Sequence, residues 1–528
     1  MVESQIGLLI GLLVIVIPLV ALAKRATIAY PIVLVLGGLV LGFVPGLPKV
    51  QFDPNLVLLI FLPPLLYWEA IIAPTDIMRE NAGQIAVLAV GLVIVTTVAV
   101  AFVAHAIVPQ MSWGVAFVLG AIVSPTDELA AVPVLEHFRL PRHVIAIVEG
   151  ESLLNDATAL VIYATAIVVV SSGTFNPAQT ALQFVLTVIG SLIFGALAGR
   201  IAVELWRTIK DAQLQGVISV LVPFLAYAPA QYLGLSGVLA VVTAGVYANY
   251  FTPRVITPRA RTQVVGFWNT LVFIANSILF LVVGLQLHGA ASAAFQKDSW
   301  PVVIGYAVAV NLVLIVVRIA LVILAEYAPT AAPADHAAPD WKHALVVAWS
   351  GLRGSISLAA ALAIPLVLPS GLPFPHRDLI IFITFTVILV TLVGGGLTLP
   401  AVVNRLHIQA GTEERDEIRL ALTRSYDAAI ARIDELQQEA RIDPAHADTL
   451  RRQYEHKRDL QDGVDTETDG HVAHHAEIER EVIAAQRVAI IEMRERGEID
   501  NVVLRSLQAD LDMALSRPGL SGTNEPQA

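Results

Sequence analysis

The segment from Val144 to Val170 is long and apolar enough to cross a bilayer, yet its first half carries Glu149, Glu151 and Asp156. Charge inside a lipid-spanning helix is costly, and where it occurs it marks an ion pathway or a structural pair. Composition places the whole chain in the same class. Hydrophobic residues make up 56% of the 528 positions and charged residues 15%, with a mean hydropathy of +0.71, whereas soluble domains carry about 25% charged residues. The fold class that follows is an all-α polytopic membrane protein.

Apolar runs of about 17 to 25 residues suit single spans. Thirteen such segments are centred near residues 14, 38, 63, 97, 122, 156, 190, 222, 243, 277, 313, 355 and 391. Glu3 precedes the first run and Lys24 and Arg25 follow it, the reverse of a secretory signal, so the first helix is expected to be retained with its N-terminus outside. The remaining loop charges agree. Connections after odd-numbered segments hold twelve Lys and Arg residues, among them Arg79, Arg142, Arg207 and Arg261, against Lys49, Lys297 and Arg377 in the even-numbered ones. This asymmetry places the tail in the cytoplasm.

The net charge of -11 belongs to that tail. From Gly411 onward the chain has 26 acidic and 15 basic residues, which leaves 18 of each in residues 1–410. The expected division is a transmembrane domain over 1–410 and an acidic helical tail over 411–528, a regulatory or assembly element. Its soluble helices are expected near 412–440, 446–463 and 473–515, with an acidic linker from Asp462 to Gly470 and a disordered end. There is no cysteine, hence no disulfide or thiolate chemistry, and nothing points to nucleic acid.

Two segments are expected to be broken. The fifth carries Ser124-Pro125-Thr126-Asp127-Glu128, where proline removes a backbone hydrogen bond, and the twelfth carries Ser350-Gly351-Leu352-Arg353-Gly354-Ser355. They lie seven segments apart, so a repeat pairing spans 1 to 6 with 8 to 13 is inverted, and paired interrupted helices mark a transporter's binding site.

The ionisable residues inside these segments are Glu69, Asp127, Glu128, Glu149, Glu151, Asp156, Arg318 and Arg353. At 100° per residue, Glu149, Ser152 and Asp156 share one face of the sixth segment, and Glu151 and Asn155 share the neighbouring one. The two buried arginines need partners. Glu151 is expected to pair with Arg353, and Glu69 or Glu149 with Arg318. Six acids against two arginines leaves an excess, and a buried unpaired carboxylate takes up either a proton or a cation. Asp127 and Asp156, flanked by Thr126, Ser152 and Asn155, are the expected site for that competition, and oxygen ligands of this kind suit Na+, K+ or Li+.

These residues carry a resemblance. Gly150-Glu151-Ser152-Leu153-Leu154-Asn155-Asp156, with Thr126-Asp127, Phe61-Leu62-Pro63-Pro64-Leu65-Leu66, Gly351-Leu352-Arg353-Gly354, Ser236-Gly237-Val238-Leu239-Ala240 and Asn276 to Leu285, is similar to the NhaP/NHE branch of the monovalent cation:proton antiporter family. The resemblance implies an NhaA-like antiporter fold with two crossed discontinuous helices, a homodimer in the cell membrane, and an elevator-like movement. It implies Na+/H+ exchange with Na+ held by Asp156, Asp127, Thr126 and Ser152, a structural Glu151–Arg353 pair, and no cofactor beyond the transported Na+ and H+. Asn155 before Asp156 looks like the electroneutral arrangement. Glu128, where the family has an uncharged residue, either faces a partner of its own or alters the number of ions carried.

An intramembrane serine protease is the enzymatic rival, through Gly234-Leu235-Ser236-Gly237. Such a serine needs a histidine base within reach, and the nearest to mid-span is His105. An aspartyl protease lacks its Tyr-Asp and Gly-x-Gly-Asp pairs here. A passive cation channel is separated from an exchanger by the absence of proton coupling.

Overall fold

The computed structural model describes residues 2–26, 28–44, 59–138, 140–172, 177–296, 299–327, 341–406, 408 and 413–462, with isolated positions between 482 and 511. Two compact units divide the chain, Met1–Gly411 and Thr412–Ala528.

In the first unit every expected segment centre falls on a helix: α1 (Val2–Ala26), α2 (Tyr30–Gly42), α3 (Leu62–Ile72), α4 (Ala82–Ile107), α5 (Trp113–Val123) with its continuation α6 (Val132–His137), α7 (Arg142–Ser172), α8 (Pro177–Thr208), α9 (Ala212–Tyr232), α10 (Gly237–Val255), α11 (Pro258–Phe295), α12 (Trp300–Glu326), α13 (Trp341–Trp349) with its continuation α14 (Ser355–Leu362), and α15 (Arg377–Leu406). Among the described residues no strand forms, and seven helices are long and apolar enough to cross a membrane. Apolar side chains such as Leu186, Ile193 and Leu197 on α8 remain exposed. A bilayer solvates such a face, whereas water would not.

Both interruptions occur where the sequence places them. α5 stops at Val123 before Pro125, and α13 stops at Trp349 before Gly351. The two extended stretches cross, and the Asp127 N–H donates to the Leu352 carbonyl at 2.7 Å in an isolated antiparallel bridge. Each stretch thereby satisfies part of the backbone that the helix break exposes, which lipid cannot do. α15 passes the crossing with a wide π-type turn over Leu389–Gly395, a distortion that tends to accompany functional sites.

Around this centre α2 and α11 run side by side at close range. Gly38 and Gly284 make that approach possible: a Cβ on Gly38 would strike the Leu281 carbonyl, and one on Gly284 the Val35 carbonyl. Small residues serve membrane helices in this way because close van der Waals packing replaces the hydrophobic effect between them.

The second unit contains an antiparallel hairpin of α16 (Glu413–Gln438) and α17 (Pro444–Asp462). Its register is set by Arg451 on Asp434 at 2.5 Å and Arg458 on Asp427 at 3.4 Å. Tyr426 and Tyr454 meet with ring centroids 6.3 Å apart. The helix expected over 473–515, the Asp462–Gly470 linker and the final residues lie outside the described residues, save isolated helical positions between 482 and 511.

Gly284→Ala is expected to destabilise the protein by about 1–3 kcal/mol through overpacking, read as a lower melting temperature in detergent. Gly266→Ala on the same helix, where a Cβ meets nothing within 4 Å, is expected to leave it unchanged.

Candidate ion-binding site

The crossing gathers site residues from four elements. α7 supplies Glu151, Ser152, Asn155 and Asp156, all buried; the α5–α6 break supplies Thr126, Asp127 and Glu128; the α13–α14 break supplies Arg353 and Ser355; α12 supplies Arg318. Ser152 Oγ donates to the Thr126 carbonyl at 3.0 Å, and Asn155 Nδ2 donates to Thr126 Oγ1 at 2.8 Å. Thr126 Oγ1 in turn donates to Glu151 Oε1 at 3.1 Å. Both polar faces of α7 therefore close on one extended stretch.

The ion pair differs from expectation. Glu151 takes Arg318 as its partner, with Nη1 on Oε1 at 2.5 Å and Nη2 on Oε2 at 3.2 Å. Arg318 also donates to the carbonyls of Ala348 and Val347 at 3.0 and 2.8 Å. Gly351 lies under this guanidinium and has no room for a Cβ. The expected Glu151–Arg353 pair is thus replaced, and neither Glu69 nor Glu149 pairs with Arg318.

Arg353 finds backbone instead of carboxylate. Its Nε donates to Val123 O at 3.3 Å and its Nη1 to Gly351 O at 2.5 Å, while its own N–H donates to Thr391 Oγ1 in the π-type turn at 3.1 Å. Val123 closes α5, where a helix presents partial negative charge, and Gly351 lies in the extended stretch just past α13. Matching arginines to acids by charge alone overlooks this partner.

Asp127 has the opposite task. Its Oδ1 accepts from the Leu129 N–H at 2.8 Å, and its Oδ2 accepts from the N–H and Oγ of Ser355 at 2.9 and 3.4 Å. It caps the start of α14 across the crossing, and Gly354 has no Cβ because the carboxylate occupies that space. Ser355 was not among the expected site residues, although a serine that restarts a helix after glycine is a recognisable start signal.

Asp156 is 3% exposed, and no described residue donates a hydrogen bond or ion pair to it. Asn155 Oδ1 beside it is likewise unpartnered. Glu69 and Asp127 lie within electrostatic reach of Asp156, and Glu128 within reach of all three. Glu149 sits apart, nearest in charge to Glu136 and Glu128. The centre thus holds a buried carboxylate with free oxygen valence among other acids, an arrangement that attracts a cation or a proton.

The serine of the protease reading is an N-cap: Ser236 Oγ accepts from the Leu239 N–H at 3.3 Å at the start of α10. His105 Nδ1 bonds the Met111 carbonyl at 2.6 Å.

The family model described as "Sodium/hydrogen exchanger, transmembrane" matches residues 11–405. The chain belongs to the sodium/hydrogen exchanger family. An uncharacterized Na+/H+ exchanger of Mycobacterium tuberculosis is 36% identical over 525 residues, covering 96% of this chain and 96% of that protein. A sodium, potassium, lithium and rubidium/H+ antiporter of Bacillus pumilus is 31% identical over 411 residues, 76% of this chain and 61% of the antiporter. In fold, the family member described here is similar to the sodium proton antiporter MjNhaP1 from Methanocaldococcus jannaschii, with a TM-score of 0.61 at 18% identity over 77% of this chain and 99% of that one.

A double-mutant cycle tests the pair. Glu151→Gln and Arg318→Gln are each expected to cost about 3–5 kcal/mol, because each leaves a buried charge alone, and the double variant less than their sum. Glu151→Gln with Arg353→Gln is expected to be closer to additive, as measured by thermal unfolding.

Proposed function

We propose that this protein is a secondary antiporter that exchanges a monovalent alkali cation, Na+ first, for H+. The observation that carries this reading is Asp156, a buried carboxylate with no cationic partner among the described residues, beside the crossing of two broken helices. A group in that setting is neutralised by a proton or by a cation, and holding one excludes the other. Exchange follows when the occupied site is exposed to each side of the membrane in turn and does not reorient empty.

Asp156 is the exchanging group in this reading. Thr126, Ser152 and Asn155 shape the oxygen environment, and Asp127 holds the two crossed stretches together while adding negative potential. The Glu151–Arg318 pair and Arg353 are structural. Asn155 is a neutral residue tied to Thr126, which favours one cation for one proton, hence electroneutral exchange. The name of the Bacillus pumilus relative favours a second reading of selectivity, in which K+, Li+ and Rb+ are carried as well. We place the protein in the cell membrane as a homodimer, N-terminus outside and acidic tail in the cytoplasm, on the charge asymmetry of its loops and the exposed apolar face of α8.

In proteoliposomes, Asp156→Asn is expected to abolish cation-driven proton movement, to less than about one hundredth of the wild-type rate, given the 10²–10⁴-fold contribution typical of a positioned proton-transfer group. The protein is still expected to insert and elute as the wild type does. Retention of half the wild-type rate would sink the assignment.

A further inference from the structure

Midway along α11 three side-chain atoms have no hydrogen-bond partner among the described residues: Nδ2 and Oδ1 of Asn276 and Oγ of Ser277. Both residues are completely buried. Each such atom gives up its hydrogen bonds to water without a replacement, so two apolar residues at these positions would make the more stable helix. Polar residues kept at that disadvantage call for a polar occupant.

Their position connects them to the crossing. Phe273, Asn276 and Ser277 are spaced i, i+3 and i+4 and share one face of α11. The Phe273 ring meets Tyr30 with centroids 5.4 Å apart, and Tyr30 lies within electrostatic reach of the Asp127 carboxylate. α11 also packs directly on α14, the helix that Asp127 caps. The pair therefore stands one helical turn from the aromatic contact that borders the ion site.

The oxygen inventory at the crossing indicates what the pair serves. A hard cation gathers about six oxygens. At the crossing, Asp127 already accepts three hydrogen bonds, Ser152 Oγ donates to the Thr126 carbonyl, and Thr126 Oγ1 both donates and accepts. The Asp156 carboxylate and Asn155 Oδ1 are left with free valence, as are the Glu69 and Glu128 carboxylates within electrostatic reach, and one oxygen from each still falls short of about six. Water is left to complete the shell, and a bare cation is a poor occupant at Asn276, whose amide carries N–H donors beside its acceptor oxygen. Water satisfies donor and acceptor together.

We infer that Asn276 and Ser277 form a hydration station beside the helix crossing, holding ordered water that completes the oxygen shell of the transported cation at Asp156. They act as positioning residues for cation affinity. This rests on the reading of Asp156 as the exchange site.

The test uses Asn276→Leu and Ser277→Ala in the full-length protein, with Na+-driven exchange measured over a concentration series in proteoliposomes and melting measured in detergent without alkali cations. Expected in each variant is an apparent KM for Na+ raised about fivefold, a maximal rate within about twofold of wild type, and a melting temperature equal to or above wild type. An unchanged KM in both variants overturns the inference, as does a lost maximal rate at unchanged KM. A lowered melting temperature also overturns it, because the pair would then be bonded within the protein. Should Asn276→Leu fail to fold, Ser277→Ala decides by the same readings. An Asp156→Asn control keeps the two readings apart: exchange that survives in that control removes the exchange site itself, whereas a normal KM in the α11 variants removes only the hydration station.

Discussion

The structure depends on how like helix ends are brought together at the crossing. α5 and α13 both end there, so two sets of unsatisfied carbonyls converge, while the chain that follows restarts with unsatisfied N–H groups. Each end carries roughly half an elementary charge, and in lipid no water is present to screen it. Arg353 answers the carbonyl end of α5 through Val123, Arg318 that of α13 through Val347 and Ala348, and Asp127 the N–H end of α14 at Ser355. With both bound, the backbone can stay broken at membrane depth, and a broken backbone makes room for an ion.

Asp156 gains its character from what these charges leave undone. Arg353 is committed to backbone and Arg318 to Glu151, so neither guanidinium reaches Asp156. Thr126 transmits the same arrangement to α7, since it bonds Glu151, Ser152 and Asn155 at once. Glu151 and Asp156, the carboxylate proposed to exchange, thus lie five residues apart on α7, and Thr126 bonds both Glu151 and the Asn155 that adjoins Asp156. A change at Glu151 is therefore expected to be felt at Asp156 through Thr126, although Glu151 touches no ion.

Much of this was legible in the sequence because the bilayer restricts it. Apolar length reports helices, Pro125 and the Gly351–Gly354 stretch report breaks, and the excess of buried acids over arginines reports a group that must take a proton or a cation. The Arg318–Glu151 pairing was not legible, because pairing by charge leaves out helix-end carbonyls as partners for Arg353. The cap that Asp127 places on α14 was hidden for a related reason: it joins residues 228 positions apart, and only the crossing brings them together. Asn276 and Ser277 lay within a recognised stretch, but their want of partners appears only when the packing around α11 is known.

The central claim is competition between H+ and a cation for one carboxylate, and binding tests it without the complication of transport. Calorimetric titration of Na+ into the detergent-solubilised protein, repeated in buffers of different ionisation enthalpy, counts the protons released. The account predicts about one proton released per Na+ bound, since a cation displaces the proton from a shared ligand, and neither binding heat nor proton release in Asp156→Asn. Na+ binding to the wild type with no proton release would contradict it.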